Sequence, residues 1–154
     1  MFESARLAEL SDSAAFAYLH KLSREGIEGH RGADLWLEKN SLKGDSEVIF
    51  GDLLGDSQYA CIIGLYGNYP LGFLIAEQTN LFGDVCVDIH EVFVEADARS
   101  VGIGESMMDF LIAWAGSKSA SSITSRALPG DRQLKNFFER YKLTARLIEV
   151  AKKI

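Results

Sequence analysis

The first third of the chain has the hydrophobic spacing of short helices. Polar residues at 11–13 suit a helix N-cap, and apolar residues then recur at helical spacing. The predicted apolar face consists of Ala15, Tyr18, Leu19 and Leu22. This helix is expected to end at residues 24–26, because Gly26 suits a C-cap. Further helices are predicted at residues 33–38 and 47–54, and residues 2–10 suit an edge strand.

The middle of the chain changes to apolar, β-branched runs. Residues 58–64 and 71–78 predict two strands, and the glycine, asparagine and proline at residues 66–70 predict a hairpin turn between them. A second turn at residues 79–84 leads into a central strand at residues 85–94. Consecutive strands joined by short turns predict an antiparallel meander.

The stretch at residues 85–116 organises the second half of the chain. The central strand is followed by a glycine loop and then by an amphipathic helix. The loop reads Arg99, Ser100, Val101, Gly102, Ile103, Gly104, and the helix face contains Met107, Met108, Leu111, Ile112 and Ala115. Glycines let backbone N–H groups approach a ligand closely, and a helix N-terminus offers unpaired donors and a positive dipole end. The pattern therefore predicts an anion site suited to a phosphate or a pyrophosphate.

The chain after this helix predicts two more strands and one more helix. Residues 121–127 read as a fifth strand, which a βαβ crossover would place parallel to the central strand. After a break at residues 128–130, apolar residues return at helical spacing in a final helix: Leu134, Phe137, Phe138, Tyr141. Residues 144–151 are expected to return as a last strand.

Composition and charge narrow the class of protein. A chain of 154 residues with 47% hydrophobic content can bury a core and is expected to form one domain over residues 1–154. A formal charge of −6 argues against a nucleic-acid partner. Cys61 and Cys86 lie in apolar runs, so we expect buried thiols and no metal cluster. Without a signal peptide or a run of about 18 apolar residues, we expect a cytoplasmic protein without membrane contact.

Glu91 is the first candidate for chemistry. Side chains alternate along a strand, so Glu91 is expected to share a face with Ile89 and Phe93 and to be its only charge. A carboxylate on a desolvated face suits a general base near neutral pH. Two other interpretations remain open: a β-bulge could turn Glu91 to solvent, or an arginine such as Arg126 could pair with it.

The histidines give weaker signals. His90 and Asp88 are expected on the opposite face of the central strand, where they could support a water chain. His20 and His30 lie in the N-terminal region without ligand spacing, and the sequence assigns them no role.

The run from Val94 to Gly104 resembles motif A of the GNAT superfamily of N-acetyltransferases. The family pattern is Val-x-Pro-x-x-(Arg/Gln)-x-x-Gly-x-(Gly/Ala), and only Ala96 departs from it, at the proline position. The order of helices, meander and loop also agrees with that family. The resemblance implies acetyl-CoA as co-substrate, with its pyrophosphate held by the loop and the start of the following helix. The implied loop residues are Arg99, Ser100, Val101, Gly102, Ile103, Gly104 and Glu105.

The same resemblance implies roles along the central strand. Backbone groups of Val92, Phe93 and Val94 would pair with the pantetheine arm, and one N–H would polarise the thioester carbonyl. Glu91 stands where the family often has a carboxylate that contacts or deprotonates the amine.

Residues 137–143 resemble motif B of the superfamily, with departures. Phe138 stands where a tyrosine commonly protonates the leaving thiolate, Lys142 and Leu143 replace Gly-Phe, and Asp131 stands where an asparagine often touches the coenzyme. Three explanations remain open. Tyr141 could replace the donor, water could protonate the thiolate, or the protein could bind acetyl-CoA without turnover.

These features predict one α/β (α+β) domain with the GNAT fold. The resemblance implies a mixed, mainly antiparallel sheet of about six to seven strands with about four helices. The expected function is acetyl transfer from acetyl-CoA to a primary amine of a small molecule or peptide, by direct attack and without a metal. The alternative is a non-catalytic acyl-CoA-binding or regulatory protein of the same fold. Residues 127–146 also resemble a GNAT subgroup common in actinobacteria, and an exposed C-terminal strand would be compatible with a homodimer.

Overall fold

The computed structural model of the protein describes residues 2–154. The strands are β1 Glu3–Leu7, β2 Tyr59–Tyr66, β3 Tyr69–Leu81, β4 Asp84–Val94 and β5 Ser122–Thr124. The α-helices are α1 Ser13–Ile27, α2 Ala33–Lys39, α3 Ser46–Leu54, α4 Ile103–Ser117 and α5 Arg132–Arg140. Within these residues, no helix is both long enough and apolar enough to span a bilayer.

The strands form one mixed sheet in the order β1-β2-β3-β4-β5. The first four are antiparallel neighbours, and β5 runs parallel to β4. This confirms the expected fold class, including the edge strand, the meander and the parallel fifth strand. The sheet has five strands and the described chain has five α-helices, so the expected counts were approximate.

The expected last strand at residues 144–151 is wrong. This segment has no regular structure, and Leu147, Ile148 and Val150 are almost fully exposed. Among residues 2–154, its only side-chain hydrogen bond joins Glu149 to Lys39 of α2, and its backbone is not part of the sheet. Alternating residues suit a strand, but a strand forms only where a partner is available.

Two hydrophobic clusters cover the two faces of the sheet. On one face, β2, β3 and β4 pack against α4 and α5, with Met107, Met108 and Leu111 of α4 fully buried. On the other face, α1 and α3 cover β2 and β3 through residues such as Phe16 and Phe50. Burial of both faces explains why the central strands read as continuous apolar runs.

Helix α4 lies close to the sheet because of a glycine in β2. A Cβ atom added at Gly64 would lie 2.5 Å from the Ile103 side chain and 2.9 Å from Met107 Sδ, which sterics forbid. The absence of a side chain at Gly64 therefore lets the first turn of α4 pack directly on the strands. This contact fixes where the N-terminus of α4 lies.

Helix α1 differs from its predicted form in two respects. It continues through Gly26 to Ile27, so Gly26 is a helical residue and not the predicted C-cap. Its buried face is Phe16, Leu19, His20 and Ser23, one position on from the predicted face, and Tyr18 is 57% exposed. The predicted face left out Phe16 and His20, which are four positions apart and therefore lie on one side of the helix.

A β-bulge in β4 overturns the predicted alternation around Glu91. Ile75 pairs with Glu91 and Ala76 with Ile89, so His90 is an extra residue in β4. Val87 and Ile89 pack in the α4 cluster, whereas Phe93 packs in the α1 cluster and Glu91 contacts α1. Glu91 therefore does not share a face with Ile89, and the bulge turns it toward α1 and not to solvent.

Candidate active site

The candidate site lies where β4 and β5 separate. Their pairing covers only the three residues from Cys86 to Asp88. Beyond it, the Ser125 hydroxyl and Arg126 Nη2 donate to the Ile89 carbonyl at 2.9 and 3.1 Å. Arg126 Nη2 also donates to Asp88 Oδ2 at 2.6 Å. These side chains, in place of a backbone group of β5, pair with the β4 edge at Ile89, where the two strands separate.

A cleft of about 480 Å³ begins at this separation and runs between β4 and α5. Most of the predicted site residues line it: Glu91, Val92, Phe93, Val94, Arg99, Ser100, Ile103, Gly104, Glu105, Asp131 and Phe138. Val101, Gly102 and Tyr141 do not line it. The cleft thus brings together the central strand, the glycine loop and the start of α5.

The edge of β4 that faces the cleft has no strand partner beyond Asp88. On the other edge, Val92 and Val94 pair with Leu74 and Gly72 of β3. The Arg99 guanidinium spans the end of this edge, donating from Nε to the Val94 carbonyl at 2.9 Å and from Nη1 to Gln133 Oε1 at 3.0 Å. A polar backbone edge inside a cleft can receive an extended ligand as an added strand.

The glycine loop ends at an uncapped helix N-terminus. Gly102, the N-cap of α4, has φ of 90°, a conformation that favours glycine. No side chain caps α4, and the backbone N–H groups of Ile103, Gly104 and Glu105 have no acceptor within residues 2–154. Three unpaired donors at the positive end of a helix dipole form a site for an anion such as a phosphate.

Glu91 is buried, with 6% of its surface exposed, and α1 holds its carboxylate. The Ser23 hydroxyl donates to Oε2 at 2.6 Å, and Arg24 Nη2 donates to Oε1 at 3.2 Å. Both oxygens of this buried carboxylate therefore have hydrogen-bond donors from α1. The arginine expected as an alternative partner, Arg126, pairs with Asp88 instead.

The three histidines of the chain lie in different surroundings near the cleft. His90, expected opposite Glu91, lies on the same face of β4, bonded to Glu77 Oε1 at 2.8 Å and to the Asn40 carbonyl. His30 lines the cleft and interacts through Nδ1 with the Gly26 carbonyl. His20, to which the sequence assigned no role, lies buried with Nε2 at 3.8 Å from Glu91 Oε1. Its spacing of four residues from Phe16 was the signal that could have shown its burial.

Helix α5 forms the wall opposite β4. Asp131 caps the helix, because its Oδ1 accepts a hydrogen bond from the Leu134 N–H at 3.2 Å. Phe138 is 6% exposed and joins the α4 cluster, so it is a packing residue that also lines the cleft. The Tyr141 hydroxyl donates to the Glu105 carbonyl and to Asp109 of α4, and burial together with the Asp109 charge raises its pKa.

The strand separation, the open edge and the anion site together suit a protein that binds an extended, phosphorylated ligand beside β4. Among the described residues, no cluster of three or more His, Cys, Asp or Glu could hold a metal ion.

Comparison with known proteins identifies the family of the chain. Residues 18–142 match the acetyltransferase (GNAT) family. The chain therefore belongs to this family, and by that membership it is an acyl-CoA-dependent N-acetyltransferase. It matches no curated protein sequence.

Solved structures of the same fold cover nearly the whole chain at low identity. Ribosomal-protein-alanine N-acetyltransferase from Brucella melitensis biovar Abortus is 18% identical, covers 100% of this chain and 99% of its own, and has a TM-score of 0.69. AAC(6')-Iy, in complex with the bisubstrate analogue CoA-S-monomethyl-acetylneamine, is 16% identical, covers 100% of both chains and has a TM-score of 0.75. An aminoglycoside acetyltransferase from an uncultured soil metagenomic sample, in complex with sisomicin, is 19% identical. It covers 99% of this chain and 95% of its own, and has a TM-score of 0.73.

Proposed function

We propose that residues 1–154 form one acetyltransferase domain that transfers the acetyl group of acetyl-CoA to a primary amine of a small molecule or peptide. One observation carries this proposal: the unpaired edge of β4 leads directly to the uncapped N-terminus of α4. An extended arm with a diphosphate at one end fits both features at once. The acceptors named for the structural neighbours, a ribosomal-protein alanine and aminoglycosides, support an amine.

The coenzyme would be held by backbone groups more than by side chains. The N–H groups of Ile103, Gly104 and Glu105 would bind the diphosphate, with the Arg99 guanidinium beside them. The supporting loop is made by Ser100, Val101 and Gly102. Val92, Phe93 and Val94 would pair with the pantetheine arm, and Asp131 and Phe138 would form the facing wall. Acetyl-CoA, when bound, supplies the activated acetyl group.

Glu91 would accept the proton of the attacking amine. The amine nitrogen forms a bond to the thioester carbon, the carbon–sulfur bond breaks, and the ammonium proton passes to Glu91, directly or through water. A backbone N–H of residues 92–94 would stabilise the developing oxyanion. The Tyr141 hydroxyl is directed at α4, and the Phe138 side chain has no acidic proton to donate. We therefore assign protonation of the thiolate to water.

The coenzyme site is tested by placing the same side chain at two glycines with positive φ. Gly102→Asp adds a negative charge at the N-cap of α4, where its Cβ meets the Glu3 side chain at 3.1 Å and its charge lies next to the proposed diphosphate donors. Gly83→Asp adds the same charge at the β3–β4 turn with a similar φ of 80°. We expect Gly102→Asp to weaken acetyl-CoA binding at least about tenfold, or about 1.4 kcal/mol, and Gly83→Asp to leave it unchanged. Calorimetric titration measures both.

Titration with ATP serves as the specificity control. Equal loss in both glycine variants, or ATP binding tighter than acetyl-CoA, would overturn the proposed coenzyme site. The second result would favour a nucleotide-binding module that uses the same loop.

The proton acceptor is tested by Glu91→Gln, with Glu77→Gln as the matched control. Glu77 pairs with His90 and does not line the cleft. With an amine found by substrate screening, we expect Glu91→Gln to lower kcat at least about a hundredfold. Acetyl-CoA affinity should stay unchanged, and Glu77→Gln should retain activity. A kcat/KM equal to that of the wild type across the pH range would remove Glu91 from the mechanism.

A further inference from the structure

His20 is a buried imidazole with one nitrogen left unpaired. It projects from α1 into the core with 3% of its surface exposed, stacked on Phe16 and tilted against Phe73. Its Nε2 has no hydrogen-bond partner, and Oε1 of Glu91 lies 3.8 Å away. That distance is too long for a hydrogen bond and short enough to become one after a small side-chain movement.

The other nitrogen of His20 leads away from the cleft. Nδ1 lies 2.8 Å from the hydroxyl of Ser46, the first residue of α3. Ser46 is only half-buried, so its hydroxyl is within reach of solvent. The imidazole therefore lies between a buried carboxylate and a half-buried hydroxyl at the start of α3.

A packing role alone does not explain this placement. The ring lies among aromatic residues, where phenylalanine would fill the space without an unpaired polar atom, and a buried unpaired polar atom is destabilising. Glu91 does not need His20 as a hydrogen-bond donor either, because Ser23 and Arg24 already donate to it. What His20 adds is a proton-binding group next to the carboxylate.

We propose that His20 shares a proton with Glu91 and passes it through Ser46 to solvent, which returns Glu91 to its carboxylate form after each acetyl transfer. This rests on the proposed role of Glu91. The protonated Glu91 donates to the Nε2 lone pair while Nδ1–H donates to the Ser46 oxygen. The Glu91 proton moves to Nε2 as His20 gives up its Nδ1 proton to the hydroxyl, whose own proton leaves to water. Rotation of the ring about its Cβ–Cγ bond then restores the starting tautomer for the next cycle. His20 thus acts through Glu91 and is a positioning and relay residue.

The charges around His20 set its resting state. Burial lowers its pKa, the Glu91 carboxylate from β4 raises it, and Arg24 from its own helix lowers it. Its remaining neighbours, Ser46 of α3 and the rings of Phe16 and Phe73, carry no charge. The net lowering leaves the imidazole neutral at pH 7 and able to accept a proton.

The shared proton is measured by NMR on protein with labelled histidine rings. The chain has three histidines, so His20→Gln identifies the His20 signal directly. We compare its titration in the wild type, in Glu91→Gln and in Glu77→Gln, which removes the carboxylate next to His90 instead. Glu91→Gln should lower the His20 midpoint by about one pH unit, because a neighbouring negative charge favours imidazolium. Glu77→Gln should leave it in place.

A His20 midpoint that is identical in the wild type and in Glu91→Gln would overturn the proposal, even if the protein is an active acetyltransferase. Conversely, an absence of turnover with every amine would overturn the proposed function, and the NMR titration would still decide whether the two residues share a proton.

Kinetics test the relay itself. With an accepted amine, His20→Gln and Ser46→Ala should lower kcat about tenfold or more and change its pH profile, while KM for acetyl-CoA stays constant. A circular dichroism spectrum equal to that of the wild type verifies that each variant is folded. Folded variants with wild-type kcat at every pH would show that protons leave Glu91 by another route.

Discussion

Lys142 occupies a backbone conformation that favours glycine. Its φ is 68°, and it follows the C-cap of α5. The Leu143 N–H donates to the Phe138 carbonyl and the Lys142 N–H to the Glu139 carbonyl, which together form a Schellman motif. The comparison with motif B placed lysine where glycine is usual, and the structure shows that the backbone retains the geometry that glycine serves.

Replacing Lys142 with glycine should therefore stabilise the protein, whereas replacing it with alanine should have little effect. We expect Lys142→Gly to raise the free energy of unfolding by about 0.5–1 kcal/mol, because glycine has no Cβ penalty at positive φ. Lys142→Ala keeps the Cβ atom and should change stability by less than about 0.5 kcal/mol. Urea titration measures all three proteins. Equal gains in both variants would show that removal of the lysine charge, and not the backbone, is responsible.

At the scale of elements, local patterns were predictable and pairings were not. The glycine loop and the strand and helix around it follow from the sequence of one continuous stretch, so their prediction needed no long-range contact. The bulge at His90 depends on how β4 pairs with β3, and no residue of β4 alone reports it. The same holds for residues 144–151, which have a strand-like sequence but no partner strand.

The candidate site shows the same division. Arg99 and Gly102 were identified from the loop sequence. The partners of Glu91 were not, because Ser23 and Arg24 lie 68 and 67 positions away in the chain and reach it only through the packing of α1 on β4. Arg126 was named as an arginine that could pair with Glu91, but it pairs with Asp88.

For the whole molecule, a buried histidine makes folding depend on pH. Burial lowers the pKa of His20 from its usual 6.5, so the unfolded chain binds this proton at a higher pH than the folded protein does. Stability should then fall as the pH drops below about 6.5, by at most about 1.4 kcal/mol per pH unit from this residue. The loss ends below the folded-state pKa.

Urea unfolding between pH 7 and pH 5 checks this dependence against His20→Gln. Glutamine does not titrate. The unfolding free energy of the wild type, relative to that of His20→Gln, should therefore decrease as the pH falls. A difference that stays constant over this range would mean that His20 has the same proton affinity in both states.

The extra residue in β4 also limits how this gene can change. Loss of the codon at position 90 would remove the bulge and leave Glu91 facing α1, because Glu91 and Ile89 already pair with the consecutive residues Ile75 and Ala76. Loss of the codon at position 92 would instead turn Phe93 into the hydrophobic layer under α4 and Val94 toward α1. Substitutions along β4 alter one contact at a time, whereas a deletion after Glu91 exchanges the two faces of the strand beside the cleft. We therefore expect descendants of this sequence to vary in residue type between Glu91 and Val94 and to keep the length of this segment.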